Sequence, residues 1–522
     1  MKYYGVKRKL HKEEQLYSYA KLHMFLKSVL PSKHKKNRKI QYNLFFKDDK
    51  YRLKEQNNAI PKNHYLKLDS ITFAEIVKRE DISQLQSGLK KLIKAKKSSK
   101  YIFVNPHKGI DSMLESIDNM DNALLHGYNW VDFGAFEINN SQIADKYEGI
   151  FLKVENLNSG FLLVRIHALL SSTEKELVSS IINQDYHNKK GHITKMIGNK
   201  QGKSGGIDKY SLSHYNDAAL KSDLLDEHLT CIAWELMHEL NRYLPFTMHK
   251  LNITPPRIET YYTDIDYKDN NEDFWSSVGV SAHNGQFVNE QQKVFFSYQL
   301  SGRYQSSEYR KRIIYIVKDE KCSNNVFSSR EDAYWHLENC SHSYFIFLLL
   351  SSLCQLAGQA VVSYKNKLDK IKLKKNGLKQ LLKTRYSFEK DVELYKRFTR
   401  EDSWKKNKSV LNEEFKANDQ IIEKAKNAWV YTHNAFCRSS EVEAEQVKEI
   451  LSIVEKEFDS KRDILEHLYS YKNLQKTWVV NLIMLAIAFA TLLLIIFPEY
   501  ANCTKDFCIS VYRVILKLLG IA

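Results

Sequence analysis

Apolar positions along this chain follow a strand-like pattern first, a helical one later, and an uncharged run near the end. Residues 149–166, GIFLKVENLNSGFLLVRI, hold two β-type runs around an Asn-Leu-Asn-Ser-Gly turn and predict a hairpin. YIFVNP (101–106), KVFFSYQL (293–300) and RIIYIVKD (312–319), rich in aromatic and β-branched residues, predict further strands. A helical pattern is clearest over SDLLDEHLTCIAWELMHELNRYL (222–244). Together these predict an α+β or α/β domain over about residues 40–330.

All but one of the seven prolines lie at or before Pro256, and Leu378 to Phe497 contains neither Pro nor Gly. A breaker-free run rich in Lys, Glu, Leu and Ala predicts long helices forming a stalk. Within it Val447, Leu451, Val454, Phe458, Leu465 and Leu468 form an apolar seam on one helix face, which requires a packing partner. The seam runs through Leu474 into Trp478, so stalk and terminal segment are expected to be one rod. EDSWKKNKS (401–409) and CRSSE (437–441) are the expected breaks.

Trp478 to Phe497 is 20 residues without a charge, enough at ~1.5 Å per residue to cross a ~30 Å hydrocarbon core. Lys461, Arg462, Lys472 and Lys476 precede it, whereas Glu499, Lys505 and Asp506 follow, which places the stalk in the cytosol by the positive-inside rule. FCISVYRVILKLLGIA (507–522) then reads as a short returning helix or as an interfacial one; the returning helix is preferred because Lys517 falls near the cytosolic end. SYFIFLLLSSLCQLAGQAVVSY (343–364) is also uncharged, but Ser351, Ser352, Gln355 and Gln359 favour a buried core helix or the root of the stalk. On the 478–497 helix, Asn481, Met484, Ala488, Thr491 and Ile495 share one side, a small and polar stripe expected to pack against protein or line a pore. The expected organisation is a basic segment (1–40), a cytosolic α/β sensor domain (41–340), a helical stalk (341–476) and a transmembrane hairpin (477–522).

Composition adds direction. The chain has 522 residues with a net charge of +17, which favours anionic partners: lipid head groups, nucleotides or nucleic acid. The basic runs KHKKNRK (33–39) and LKKLIKAKK (89–97) lack the interleaved aromatics of single-strand binders, so nucleic acid is not the expected partner. Seven scattered cysteines show no disulfide framework, and no secretory signal opens the chain.

This architecture, a cytosolic α/β domain, long stalk helices and two C-terminal membrane helices, with RDILEHLYSYKNLQKTWVVNLIMLAIAFATLLLIIF (462–497) at the junction, resembles the CorA-type divalent-cation channels. The resemblance implies a homo-pentamer in the inner membrane, multi-pass, with the N-terminal domain cytoplasmic. The family's Gly-Met-Asn signature is absent; FPEYANCTKDFC stands in the outer loop, with Asn502 its only amide. The basic tail usual after the second helix is missing too. The chain is therefore similar to the divergent members found beside type III CRISPR systems. That likeness implies an antiviral effector gated by a nucleotide second messenger, S-adenosylmethionine joined to AMP (SAM-AMP). A divalent metal-ion transporter and a tail-anchored scaffold without conduction are the alternatives.

Chemistry-bearing motifs are sparse. IGNKQGKSGG (197–206) has three residues between Gly198 and Gly202, where a Walker A loop has four. It reads as a flexible basic loop or, with His187, Lys189, Lys190, His192, Lys195, Lys200 and Lys203, as a site for a small anionic ligand. HEL (238–240) lacks a second zinc ligand, since Arg242 stands four after His238. His336, Cys340 and His342 find no second cluster, so no metal or other cofactor is expected. No nucleophile elbow or triad is recognisable and an enzymatic role has no positive support.

Overall fold

The computed structural model describes residues 22, 25–26, 29, 60, 63–93, 101–103, 110–122, 130–138, 143–158, 160–184, 193–195, 210–212, 217–265, 278, 286–289, 294–299, 312–319, 329–373, 376–400, 434–496, 506, 509–510 and 513. It is a mixed α+β structure that divides into two units. One comprises 1–355 and 394–444, the other 356–393 and 445–522.

The first unit is built on a nine-stranded sheet. In chain order the strands are β1 (Leu66–Lys78), β2 (Tyr101–Phe103), β3 (Trp130–Ile138), β4 (Tyr147–Asn158), β5 (Phe161–Leu170), β8 (Arg257–Thr263), β9 (Gln286–Asn289), β10 (Val294–Gln299) and β11 (Arg312–Lys318). β6 (Ile193–Lys195) and β7 (Tyr210–Leu212) pair separately. The sheet order is β2-β3-β4-β5-β1-β8-β11-β10-β9, antiparallel except for the parallel pair β8–β11. The expected hairpin is β4–β5, closed where Asn158 Oδ1 accepts a hydrogen bond from Gly160 N at 2.9 Å. The other three predicted strands are β2, β10 and β11.

One sheet face carries the main apolar core. Phe73, Leu152, Val164, Ile166, Tyr261 and Ile316 pack there against α1 (Ile82–Ile93), α2 (Ile110–Asp118), α3 (Ser172–Asn183) and α4 (Asp217–Leu240). α1 shows why: Leu85, Leu89 and Leu92 recur at helical spacing and are buried, while its lysines lie outside. Gly88 on the same face allows close approach; a Cβ there would lie 1.9 Å from the carbonyl oxygen of Tyr243. α3 is capped by Ser171, whose hydroxyl accepts from Glu174 N. Gly134, at φ 78°, supplies the left-handed residue at a bulge in β3. After the one-turn helix α5 (Thr247–Lys250) the chain reaches β8.

Among the described residues three long helices follow: α6 (Ser329–Lys370), α7 (Gly377–Thr399) and α8 (Asn434–Ile496). Within the first unit the sheet's other face carries the early part of α6, joined to β4 and β5 by hydrogen bonds from Lys153 and Arg165 to Glu338. Ser351 donates to Glu443 at 2.7 Å, and Tyr395 donates to the carbonyl of Ala444 at 2.7 Å.

The second unit is a helical bundle. Leu368, Leu381, Phe388 and Val392 are buried with Val447, Leu451, Val454, Phe458 and Leu465 of α8. Tyr364, Phe388 and Phe458 form a ring chain with centroid separations of 5.5 Å at each step, and Tyr364 donates to Asp391 at 2.7 Å. The seam behaves as its spacing predicts until Leu465; Leu468 is 38% exposed, so the bundle ends one turn earlier than expected.

The break expected at CRSSE (437–441) does not exist: α8 runs through it without interruption. Ser440 is fully buried, and packing overrides the poor helix propensity of Ser-Ser. The segment 401–409 lies outside the described residues. The boundaries placed at 340/341 and 476/477 fall inside α6 and α8.

Candidate functional site

Among the described residues two stretches are long and apolar enough to cross a membrane, and burial separates them. Ser341–Lys370 is 72% buried over its most apolar window, as expected of a core helix; Ser440–Leu492 is only 6% buried. In the first, two serine hydroxyls are satisfied internally: Ser352 donates to the carbonyl of Leu348 at 2.9 Å and Ser351 donates to Glu443 at 2.7 Å. In the second, Leu465 is the last buried seam residue, and from Glu466 to Leu492 only Ala490 is classed as buried.

The stripe predicted from sequence lies on this bare part of α8. Asn481, Met484, Ala488, Thr491 and Ile495 are all exposed, as are Leu482, Leu485, Phe489 and Leu492 around them. Thr491 Oγ1 donates to the carbonyl of Ile487 at 2.8 Å, which satisfies the hydroxyl within the helix and lowers its cost in hydrocarbon. Leu482, Leu485, Ala486, Ala488, Phe489 and Leu492 border a shallow, almost wholly apolar groove along the helix. Trp478 marks the start of the uncharged stretch and is 70% exposed. Asp506, Ile509, Ser510 and Arg513 are helical and exposed; the rest of 497–522 lies outside the described residues.

The ligand residues proposed from the basic loop are mostly beyond description. His187, Lys189, Lys190, His192, Lys200 and Lys203 lie outside the described residues, and Lys195 is placed only by its backbone, in β6 opposite Tyr210. His342 is not a lone ligand: its Nδ1 lies 2.6 Å from Glu155 Oε2. Among the described residues no group of three or more His, Cys, Asp or Glu is arranged to hold a metal ion.

Two polar clusters were not anticipated. The first lies between the sheet and α4. Arg257 Nε donates to Glu259 Oε1 at 2.9 Å, its Nη2 to Asp226 at 2.6 Å and its Nη1 to Thr230 at 3.0 Å. Arg312 Nη1 lies 3.4 Å from both Glu259 oxygens, and its Nη2 donates to Ser222 at 2.8 Å. Burial alone would raise the Glu259 pKa, but the guanidinium groups of Arg312 and Arg257 hold it low. Beside it Lys221 Nζ donates to the carbonyl of Ile182 at 2.7 Å.

The second cluster ties α6 to the sheet. Arg165 Nη2 meets Glu155 Oε1 at 2.9 Å and also pairs with Glu338. Lys153 Nζ lies 2.6 Å from Glu338 and 4.3 Å from the centre of the Trp130 ring. Against the burial that would raise it, the His342 hydrogen bond and the charge of Arg165 hold Glu155 at about 2. The sequence did carry a signal: Lys153, Glu155 and Arg165 interrupt the two apolar runs of the hairpin at alternate positions.

Glu75 on β1 is a third special group. Its carboxylate accepts from Met248 N at 2.7 Å and His249 N at 2.9 Å. Burial still raises it to about 7. His167, whose Nδ1 lies 2.9 Å from Thr72 Oγ1, is pushed down by burial to about 4.

These two groups act oppositely on stability. As pH rises from the unfolded carboxylate value near 4.5 to about 7, Glu75 progressively destabilises the fold. As pH falls from 6.5 to about 4, His167 does the same. Between about pH 4.5 and 6.5 the slopes offset each other. Glu75→Gln is expected to unmask the histidine: the variant's stability, measured against wild type by thermal unfolding, rises with pH across this window. The change is on the order of 2–3 kcal/mol. Parallel profiles for the two proteins would refute the assignment.

Searches against family models, curated proteins and solved structures find no match to this chain.

Proposed function

We propose that this chain is a CorA-like, homo-oligomeric channel or effector of the inner membrane. Its α+β unit faces the cytosol and binds a small anionic, nucleotide-type ligand. Helix α8 carries the resulting change into a membrane helix, and antiviral membrane leakage is the output. The pentamer, the multi-pass topology and SAM-AMP as the signal come from the resemblance in architecture.

One observation supports this reading above the others. α8 is a single helix of 63 residues whose first part carries the buried bundle seam and whose last part, from Trp478, is uncharged and exposed. A simple anchor needs no helical continuity with a packed bundle; a transmitted movement does. Ligand binding opens such a device only to the extent that it favours one bundle arrangement over another. The absence of Gly-Met-Asn in the outer segment argues against magnesium selectivity and for a less selective pathway.

The test is flux from liposomes containing the full-length protein, with and without added SAM-AMP, together with mass photometry of the detergent-solubilised protein. Ligand-dependent release from a pentamer is the expected result. A monomer without release would overturn the channel reading and leave the tail-anchored scaffold. Magnesium uptake without ligand would favour the transporter instead.

A further inference from the structure

Far from α8 in sequence, Leu22, Phe25, Leu26 and Val29 adopt helical conformation. Their spacing of three, four and seven residues puts them on one helix face. All four are exposed, from 46% for Phe25 to 57% for Leu22. Large apolar side chains in such a stripe are costly in water and mark a surface that is covered in use.

Charge says by what. Residues 1–40 contain twelve Lys and Arg against two Glu, a net +10 of the chain's +17. Lys21 and Lys27 bracket Leu22, Phe25 and Leu26, and Lys33, Lys35, Lys36, Arg38 and Lys39 follow within ten residues of Val29. A protein partner with a matching apolar groove would account for the stripe but not for this concentration of cations. An anionic bilayer surface accounts for both: acyl chains take the apolar face, and phosphate head groups attract the lysines at ~1 kcal/mol each near the surface.

We propose that the N-terminal segment is a second membrane contact, an amphipathic helix that inserts Leu22, Phe25, Leu26 and Val29 into an anionic phospholipid surface. This contact is independent of conduction by the membrane helix, so it stands or falls separately from the channel reading. It makes the cytosolic end of the chain sensitive to lipid composition.

Hydrogen–deuterium exchange of the full-length protein in nanodiscs tests it. With phosphatidylglycerol-rich discs, exchange across residues 22–29 is expected to be at least about tenfold slower than in phosphatidylcholine discs. Raising NaCl to about 0.5 M is expected to remove most of that protection by screening. The combined variant Leu22→Glu, Leu26→Glu and Val29→Glu is expected to lose the protection while exchange in β4 and β5 stays unchanged, which shows that the sheet unit remains folded. Equal protection in both lipids and in detergent would identify a protein contact and overturn the proposal. Equal, rapid exchange in all three would overturn it as well.

Discussion

Glu259→Ala is expected to cost about 3–5 kcal/mol, because it removes the carboxylate shared by two buried guanidinium groups. Arg257 is 2% exposed and Arg312 is fully buried, and both touch Glu259. Arg257 keeps Asp226, but Arg312 loses this anion, and the Tyr261 hydroxyl loses its 3.0 Å bond to Glu259 Oε2. The site joins β8 and β11, the sheet's parallel pair, to α4, so the damage falls at the middle of the first unit. In thermal unfolding of the detergent-solubilised protein the midpoint is expected to fall by about 4–6 °C. Glu259→Gln, which keeps shape and one acceptor but not charge, is expected to lose less. Replacing Glu259 and Arg312 together by apolar residues is expected to restore part of the loss, because the buried pair then goes as a whole while Arg257 keeps Asp226. A Glu259→Ala midpoint within a degree or two of wild type would show that the pair is solvated and that this account is wrong.

That cluster also explains why only part of the sheet was legible from sequence. The β4–β5 hairpin was readable because an Asn- and Gly-containing turn separates two apolar runs. β11, RIIYIVK, was readable as an apolar run. β8, RIETYYT, was not: its core face carries Arg257 and Glu259, whose charges are satisfied only by α4 and β11, elements distant in sequence. β1 was missed for a related reason. It is central and buried on both faces, so it shows no alternation, and Glu75 within it is held by backbone amides some 170 residues away.

The long helices show the reverse limit. α6 has the apolarity of a membrane span because it is buried within the protein, and sequence supplies only the serine and glutamine content to tell the two apart. α8 was readable as one rod because its seam keeps a constant phase through residues 447–465. The exact end of the bundle was not, since Leu468 fits the same phase as Leu465 yet stands exposed. Of the positions singled out from sequence, the stripe from Asn481 to Ile495 lies on the exposed part of α8 together with the apolar residues around it, whereas the basic loop yields only the strand position of Lys195.

The stretch between Leu465 and Trp478 is where the proposed coupling is most exposed to test. Over Glu466–Thr477 α8 is continuous and every described residue is exposed, so the helix is held there chiefly by its own backbone hydrogen bonds. Proline at position 470 would remove the bond to the carbonyl of residue 466 and clash with it, at a local cost of about 3 kcal/mol or more. Elsewhere such a change would disturb tertiary packing; here it falls between the bundle and the uncharged segment. On the proposed reading, in which the chain binds SAM-AMP, Ser470→Pro is therefore expected to leave the thermal midpoint and the ligand affinity near wild type. Ligand-dependent release from liposomes is expected to drop by at least about tenfold, because a kinked helix no longer transmits a displacement. Ser470→Ala, which favours helix, is expected to release normally. Wild-type release from the proline variant would show that α8 does not act as a rigid coupler, and loss of ligand binding would show that the change disturbs more than the connecting turns. Only loss of release with binding intact separates a working rod from an anchor, since an anchor tolerates a kink.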